Sequence, residues 1–351
     1  MLKSATWRGV RPEPLGRAMA SATHEQSSYV GSAGRGYATI SGMIPTDANV
    51  HSALINARPA AQSQMASFEA AGATWHEEPM TELLLGAASP VVKFAQFTRQ
   101  QEATVGADWL WWWIDDFGEA FGMLVQAKRL LHHRKGWDID FDYKTGDQRR
   151  ALVQTGLDLG VAPMYALYLG TSEWRSGAFC QDMPHRDPCS ACERSTVSMV
   201  PAIVTDFAAS HSTQVSTAME VAMPIEFISD KEITANPVWD SNLSDLDMDL
   251  ATFLFEPQKG ARRVAQMIFQ RVTKVRAMMF SGPTGVVVTR GAEPIFRNVP
   301  DDLGHFRRRY YPEILDGLRH EVPDYVLDVL SDQEVPENIR GRLAGVAIFH
   351  C

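Results

Sequence analysis

Near the middle of a long apolar stretch the chain reads Asp108-Trp109-Leu110-Trp111-Trp112-Trp113-Ile114-Asp115-Asp116-Phe117-Gly118-Glu119. Read with a helical period, Asp115 and Glu119 stand one turn apart, and Asp108 lies about two turns before Asp115. Three carboxylates then share a stripe beside Trp109, Trp112 and Trp113. On this reading residues 90–134 form the strongest helical region of the chain, interrupted near Gly106.

Working toward the N-terminus, Thr46-Asp47 and Pro59 mark the starts of two short helices, about 47–57 and 59–71, the second stopped by Gly72. Pro79 and Ser89-Pro90 open further helices. Toward the C-terminus, Gly146-Asp147 opens a helix that runs to Leu159. The clearest strand follows: Val215, Thr217, Met219, Val221, Met223, Ile225 and Phe227 alternate with Ser216, Ala218, Glu220, Ala222, Pro224 and Glu226. Pro224 puts its end at an edge or bulge, and residues 195–205 supply its partner. Ser244-Asp245-Leu246-Asp247 caps a new helix, and a longer one spans about 258–280. Val286-Val287-Val288-Thr289, Arg290-Gly291-Ala292 and Pro294-Ile295-Phe296 suggest a hairpin, and short helices start at Pro312, Pro323 and Pro336.

Helices first, strands in the middle and helices last predict an α+β fold, predominantly α-helical with a small central antiparallel β region. The expected organisation is a flexible basic N-terminal arm over 1–42, a helical region over 43–170, a zinc-loop candidate and β region over 171–242, and a helical region with one β-hairpin over 243–351.

Composition narrows the class. The chain has 351 residues, 45% hydrophobic and 21% charged, with nine Trp, sixteen Phe and fifteen Met, enough to build a sizeable core or large contact surfaces. The formal charge of -9 argues against a chain that is wholly a counterion for nucleic acid. Within it, Lys3, Arg8, Arg11, Arg17 and Arg35 face only Glu13 and Glu25 in the first 42 residues. This Ser/Ala/Gly-rich arm fits a floppy terminus, an organellar transit peptide, or an arm that reaches a neighbouring subunit or nucleic acid. No apolar run is long enough to predict a transmembrane helix. Four cysteines do not make a secreted disulfide framework, so a reducing, cytoplasmic compartment is expected, or a virion if the chain builds a shell.

Three constellations are candidates for chemistry. Cys180, His185, Cys189 and Cys192 read C-x4-H-x3-C-x2-C. Three thiolates and an imidazole are a tetrahedral zinc set, and with all four positions filled by protein such an ion is structural. Free thiols in a loop are the alternative. Pro188-Cys189-Ser190-Ala191-Cys192 also resembles the P-C-x-x-C half of the zinc nucleobase deaminases, with His76-Glu77-Glu78 as an H-x-E far upstream.

Asp115, Asp116 and Glu119, on a helix beside tryptophans, resemble the aspartate-rich helix of class I terpene synthases, with Arg309-Tyr310 similar to that family's late Arg-Tyr pair. The resemblance implies Mg²⁺ and a prenyl diphosphate. The second metal motif of that family is not matched. A buried Trp-rich helix with acids at its edge is the plainer reading.

The third constellation is basic: Lys128-Arg129-Leu130-Leu131-His132-His133-Arg134-Lys135, with Arg307-Arg308-Arg309-Tyr310-Tyr311 as a second cluster. These could touch phosphates, or only line a solvated face. No Walker loop, dinucleotide fingerprint or nucleophile elbow is present. The features together predict a structural self-assembling protein, a viral capsid or shell subunit packing through aromatic-rich surfaces and its N-terminal arm, with copies of itself and nucleic acid as partners. Residues 220–285 resemble, loosely, the strand, long helix and Gly-Pro turn of phage-type capsid subunits. A Mg-dependent class I terpene cyclase-like enzyme is the alternative.

Overall fold

A computed structural model of the chain describes residues 49–97, 109–133, 136–170, 180, 185, 188–206, 211–233, 246–276, 285–290, 293–304 and 306–351. All of them lie in one compact unit spanning 39–351. The expected N-terminal arm falls outside the described residues, as does Asp108.

The fold is mixed α/β, which corrects the expectation of a mainly helical chain with a small antiparallel region. In chain order the described elements are α1 (Val50–Ala70), α2 (Glu77–Ala88), β1 (Lys93–Gln96), β2 (Trp109–Ile114), β3 (Ala120–Arg129), β4 (Leu131–His133), β5 (Gly136–Asp138), α3 (Asp147–Leu159), β6 (Ala162–Tyr168), α4 (Ser190–Arg194), β7 (Val197–Pro201), α5 (His211–Val221), β8 (Met223–Pro224), α6 (Met248–Phe255), α7 (Gly260–Arg276), β9 (Val286–Val288), β10 (Asn298–Pro300), α8 (Tyr310–Leu315), β11 (Leu318–Arg319), α9 (Asp324–Leu330), α10 (Glu337–Arg340) and β12 (Gly345–His350). Eight strands make one sheet in the order β1-β12-β2-β3-β6-β7-β8, with β11 paired to β3. Two pairs in it are parallel, β12 with β2 and β3 with β6.

The tryptophan run is therefore a strand. Trp109–Ile114 sits at the centre of the sheet, and all six residues are buried. A strand covered on both faces needs no polar alternation and reads as an unbroken apolar run. Helices lie on both faces: Thr81 of α2 accepts the hydroxyl of Tyr168 at 2.9 Å on one, and Tyr325 of α9 meets Trp112 edge to face, 6.2 Å between ring centres, on the other. The carboxylate stripe does not form, because Asp115, Asp116 and Glu119 occupy the turn between β2 and β3, where Gly118 takes φ 83°.

The alternating segment 215–227 is corrected in the opposite sense. His211–Val221 is a helix, and only Met223–Pro224 is strand. Buried Gln214, Val215, Ala218, Met219 and Ala222 recur at helical spacing. The expected partner is right for the piece that is strand, since β7 pairs with β8 through Met199 and Met223. The two helices expected around 47–71 are one, with Pro59 inside it. The helix from Gly146-Asp147 to Leu159 and the long one near 258–280 form as α3 and α7. The hairpin at Val286 forms as β9, but its partner is Asn298–Pro300 rather than residues 294–296. Among the described residues no helix is long and apolar enough to cross a membrane.

Topology gathers many ends at one edge of the sheet. Strands β3 and β6 run parallel and finish together at Arg129 and Tyr168. Trp109, Gly345 and Val197 lie at that same edge, where β2, β12 and β7 begin. The segment carrying the Cys/His motif leaves this edge after β6 and returns to it at β7. The N-terminus of α3 comes back to it as well. In parallel α/β sheets the crevice beyond the carboxyl ends of the strands is where ligands bind.

Candidate metal centre and polar strand face

Cys189 caps α4 and Cys192 lies one turn on, so a five-residue helix presents both thiols to one side. Cys180 and His185 precede α4 in the chain. The four ligand atoms all lie within 4.8 Å of one another. The Sγ atoms of Cys180 and Cys189 are 3.5 Å apart, and His185 Nδ1 is 3.7 Å from Cys192 Sγ. A tetrahedral zinc with Zn–S bonds of about 2.3 Å separates its ligand atoms by about 3.8 Å. The group is thus positioned to bind a metal ion. Hydrogen bonding, led by the Cys192 backbone N–H, lowers the Cys189 thiol from its ordinary range, while burial and its thiol neighbours push Cys192 up to about 12. His76 and Glu78 are not part of the group, and Glu77 instead faces Arg129 at 3.6 Å.

The centre is tied to the rest of the fold through α1. Arg58 donates to the backbone oxygen of Glu193 in α4 at 2.9 Å and to Glu226 Oε1 at 3.3 Å. Glu226 is buried, and desolvation raises its pKa against the pull of Arg58.

Asp115 has a structural use. Its Oδ1 accepts the N–H groups of Phe117 and Glu119 at 2.9 and 3.0 Å, and its Oδ2 accepts Ala261 N–H at 3.2 Å. Burial raises its pKa while those three N–H groups lower it. Glu119 holds the Arg262 guanidinium with two bonds, 2.8 and 3.0 Å, and Asp116 lies 3.3 Å from His350 Nε2. The three carboxylates point to three different partners, not to one ion. In the second basic cluster Arg309 pairs with Asp301, Arg308 pairs with Asp206 and Glu313, and Tyr310 and Tyr311 are buried.

The first basic run holds a site that helical reading hides. Lys128 and Arg129 end β3, and as alternate strand residues Gln126 and Lys128 face the same way. Both are buried, at 1% and 7% exposure, at the carboxyl edge. Their register partners on β6 are Tyr165 and Leu167. Lys128 Nζ donates to Gln148 Oε1 in the first turn of α3 at 2.7 Å. A buried glutamine and lysine two apart on a central strand are a signal available in the sequence, but only once 120–129 is read as a strand. Arg129, on the other face, donates to the Trp75 carbonyl and faces Glu77 of α2.

The family described as "Family of unknown function (DUF6615)" matches residues 51–350. No curated protein and no solved structure matches the chain.

Proposed function

The chain belongs to the DUF6615 family, and we propose that it is a divalent-metal-dependent phosphodiesterase acting on nucleic acid, with zinc in the Cys180/His185/Cys189/Cys192 centre as a structural staple. The observation that carries the reading is the buried Gln126–Lys128 pair at the carboxyl edge of β3 and β6, with Lys128 aimed by Gln148.

What supports it is the chemistry such an edge offers. A phosphodiester carries its charge on non-bridging oxygens, and a fixed ammonium stabilises the extra charge of the pentacovalent transition state. Lys128 is that ammonium. Asp108, the residue before Trp109 in the chain, and the Gln126 amide oxygen are hard oxygen donors of the kind Mg²⁺ takes alongside substrate phosphate. A bound divalent ion would polarise the phosphate and lower the pKa of a water. Hydrolysis would join a water oxygen to phosphorus and break one P–O ester bond, with one proton of that water ending on the departing alkoxide. Lys128 also opens a basic stretch of sequence that runs to Lys135 on an otherwise acidic chain. A few polar side chains converging among apolar ones at the edge where a sheet's connections gather are the composition of a ligand site.

The shell-subunit reading draws on the N-terminal arm and on aromatic surfaces. Trp75, Trp109, Trp111, Trp112 and Trp113 are all buried in the chain's own core. This removes one support of the shell reading, since among the described tryptophans only Trp137 is exposed.

The test is incubation of the purified protein with single- and double-stranded DNA and RNA oligonucleotides and Mg²⁺ or Mn²⁺. Cleavage that EDTA stops, and that Lys128→Met removes while the fold is retained, is expected. A protein that cuts none of these and runs in light scattering as large particles would return the shell reading.

A further inference from the structure

Gln148, which aims Lys128, is followed by Arg149, and Arg149 enters a buried ionic network with no part in the chemistry proposed above. Arg149 Nη1 donates to the Thr205 backbone oxygen at 2.8 Å, and Nη2 lies 3.1 Å from Asp142 and 4.0 Å from Asp206. Asp206 is shared, because Arg308 Nε lies 2.9 Å from it. The same Arg308 Nε is 3.1 Å from Glu313 Oε2. Arg149, Asp206 and Glu313 are 8%, 8% and 4% exposed and little screened by water, while the Arg308 side chain that joins Asp206 to Glu313 is 26% exposed. The chain Glu313–Arg308–Asp206–Arg149 links α8, the segment before α8, the segment after β7 and the first turn of α3.

We propose that Glu313 is a positioning residue of the phosphodiester site, acting through Arg308, Asp206 and Arg149 on the placement of Gln148 against Lys128; this rests on the reading of that site given above. The physical step is competition for one guanidinium. When Glu313 is ionised it shares Arg308 with Asp206, and Asp206 remains available to Arg149. When Glu313 is protonated, Asp206 becomes the sole carboxylate on Arg308 and is drawn from Arg149, to which its contact is already long. The first turn of α3 then loses one of its restraints.

The network titrates in a useful range. Burial pushes Glu313 up to about 7, opposed by Arg308 and reinforced by Asp206. Those two are the charged groups acting on it. Strand β6, α7 and β10, the elements packed against α8, contribute no charge acting on Glu313.

The experiment is the pH profile of kcat and KM for Mn²⁺-dependent oligonucleotide cleavage by the full chain. In wild type kcat should rise through pH about 7. Glu313→Gln should flatten that rise and lower kcat at high pH by about tenfold, with KM within about twofold, as expected when positioning and not binding is lost. Glu313→Asp should restore the inflection. Gln148→Ala, at a half-exposed position that leaves the core intact, should flatten it too. A wild type that cleaves nothing fails the phosphodiesterase reading and this inference with it. A wild type that cleaves, with Glu313→Gln or Gln148→Ala keeping the wild-type profile, overturns the inference alone.

Discussion

The side chain of Asp115 closes the N-terminus of a helix 146 positions further along the chain, its Oδ2 accepting Ala261 N–H at 3.2 Å. The helix N-terminus approaches so closely that a Cβ on Gly260 would sit 2.4 Å from that oxygen, and Gly260 takes φ 53°. One carboxylate thus fixes both the β2–β3 turn and α7. Asp115→Ala leaves three N–H groups without their acceptor, and a loss of about 1–3 kcal/mol is expected. A lowered denaturant midpoint at unchanged m-value is the readout. A variant as stable as wild type would show that the cap carries no weight.

The parallel pairing of β12 with β2 imposes a second sharp requirement. Gly345 stands opposite Trp109, and a Cβ there would lie 2.3 Å from the indole and 2.6 Å from the Ala95 carbonyl of β1. The backbone oxygen cannot retreat without breaking the β1–β12 ladder. Gly345→Ala is expected to cost about 1–3 kcal/mol through overpacking. Thermal melting decides it, and an unchanged midpoint would mean the sheet edge yields more easily than its packing implies.

Why helix–strand assignments inverted at two places is a matter of burial. Trp109–Ile114 lies in a central strand covered on both faces, so its sequence lacks the period-two signal that identifies half-exposed strands. The chance spacing of Asp115 and Glu119 then imitates a helix. In 211–222 small residues were the trap. Ala218 and Ala222 look like a weak polar face in a strand pattern, yet both are buried, Ala218 within α5 and Ala222 just past its end. Where boundary chemistry is local the sequence suffices, as with Gly146 before α3, which takes φ 82°. The Cys/His group was legible because all four ligands lie within one short segment. The Gln126–Lys128 pair was not, because its meaning depends on which strand it lies in and on which edge that strand ends.

Stability should carry a pH signature from Asp316. Burial pushes this carboxyl from 3.8 up to about 7, against the Arg290 N–H and the charges of Arg319 and Arg290. The folded state therefore holds the proton more tightly than the unfolded chain. The favourable contribution is full below the unfolded value, near 3.8, and is lost as pH rises to about 7. Asp316→Asn removes the titration. Relative to wild type it should gain stability between pH 5 and pH 8, by on the order of a few kcal/mol at most. Urea unfolding of both proteins at the two pH values measures this, and a difference that does not change with pH would refute it.

The Cys/His centre should behave as part of the fold. Five residues are too few for a helix to stand alone, so α4 needs an external anchor, and the thiols of Cys189 and Cys192 are placed to provide it. Binding requires a thiolate at Cys192, whose thiol burial pushes up to about 12 without an ion, so metal uptake must release protons and tighten as pH rises. Purified protein should hold about one zinc per chain. Cys192→Ser should bring this below about half and lower the melting temperature, since an ion bound only to the folded state stabilises it. Because Arg58 ties α4 to α1 and to Glu226, the loss should extend beyond the loop, reaching amide protons of α1 in hydrogen exchange. Stoichiometric zinc in the serine variant, or faster exchange confined to residues 180–195, would break that link.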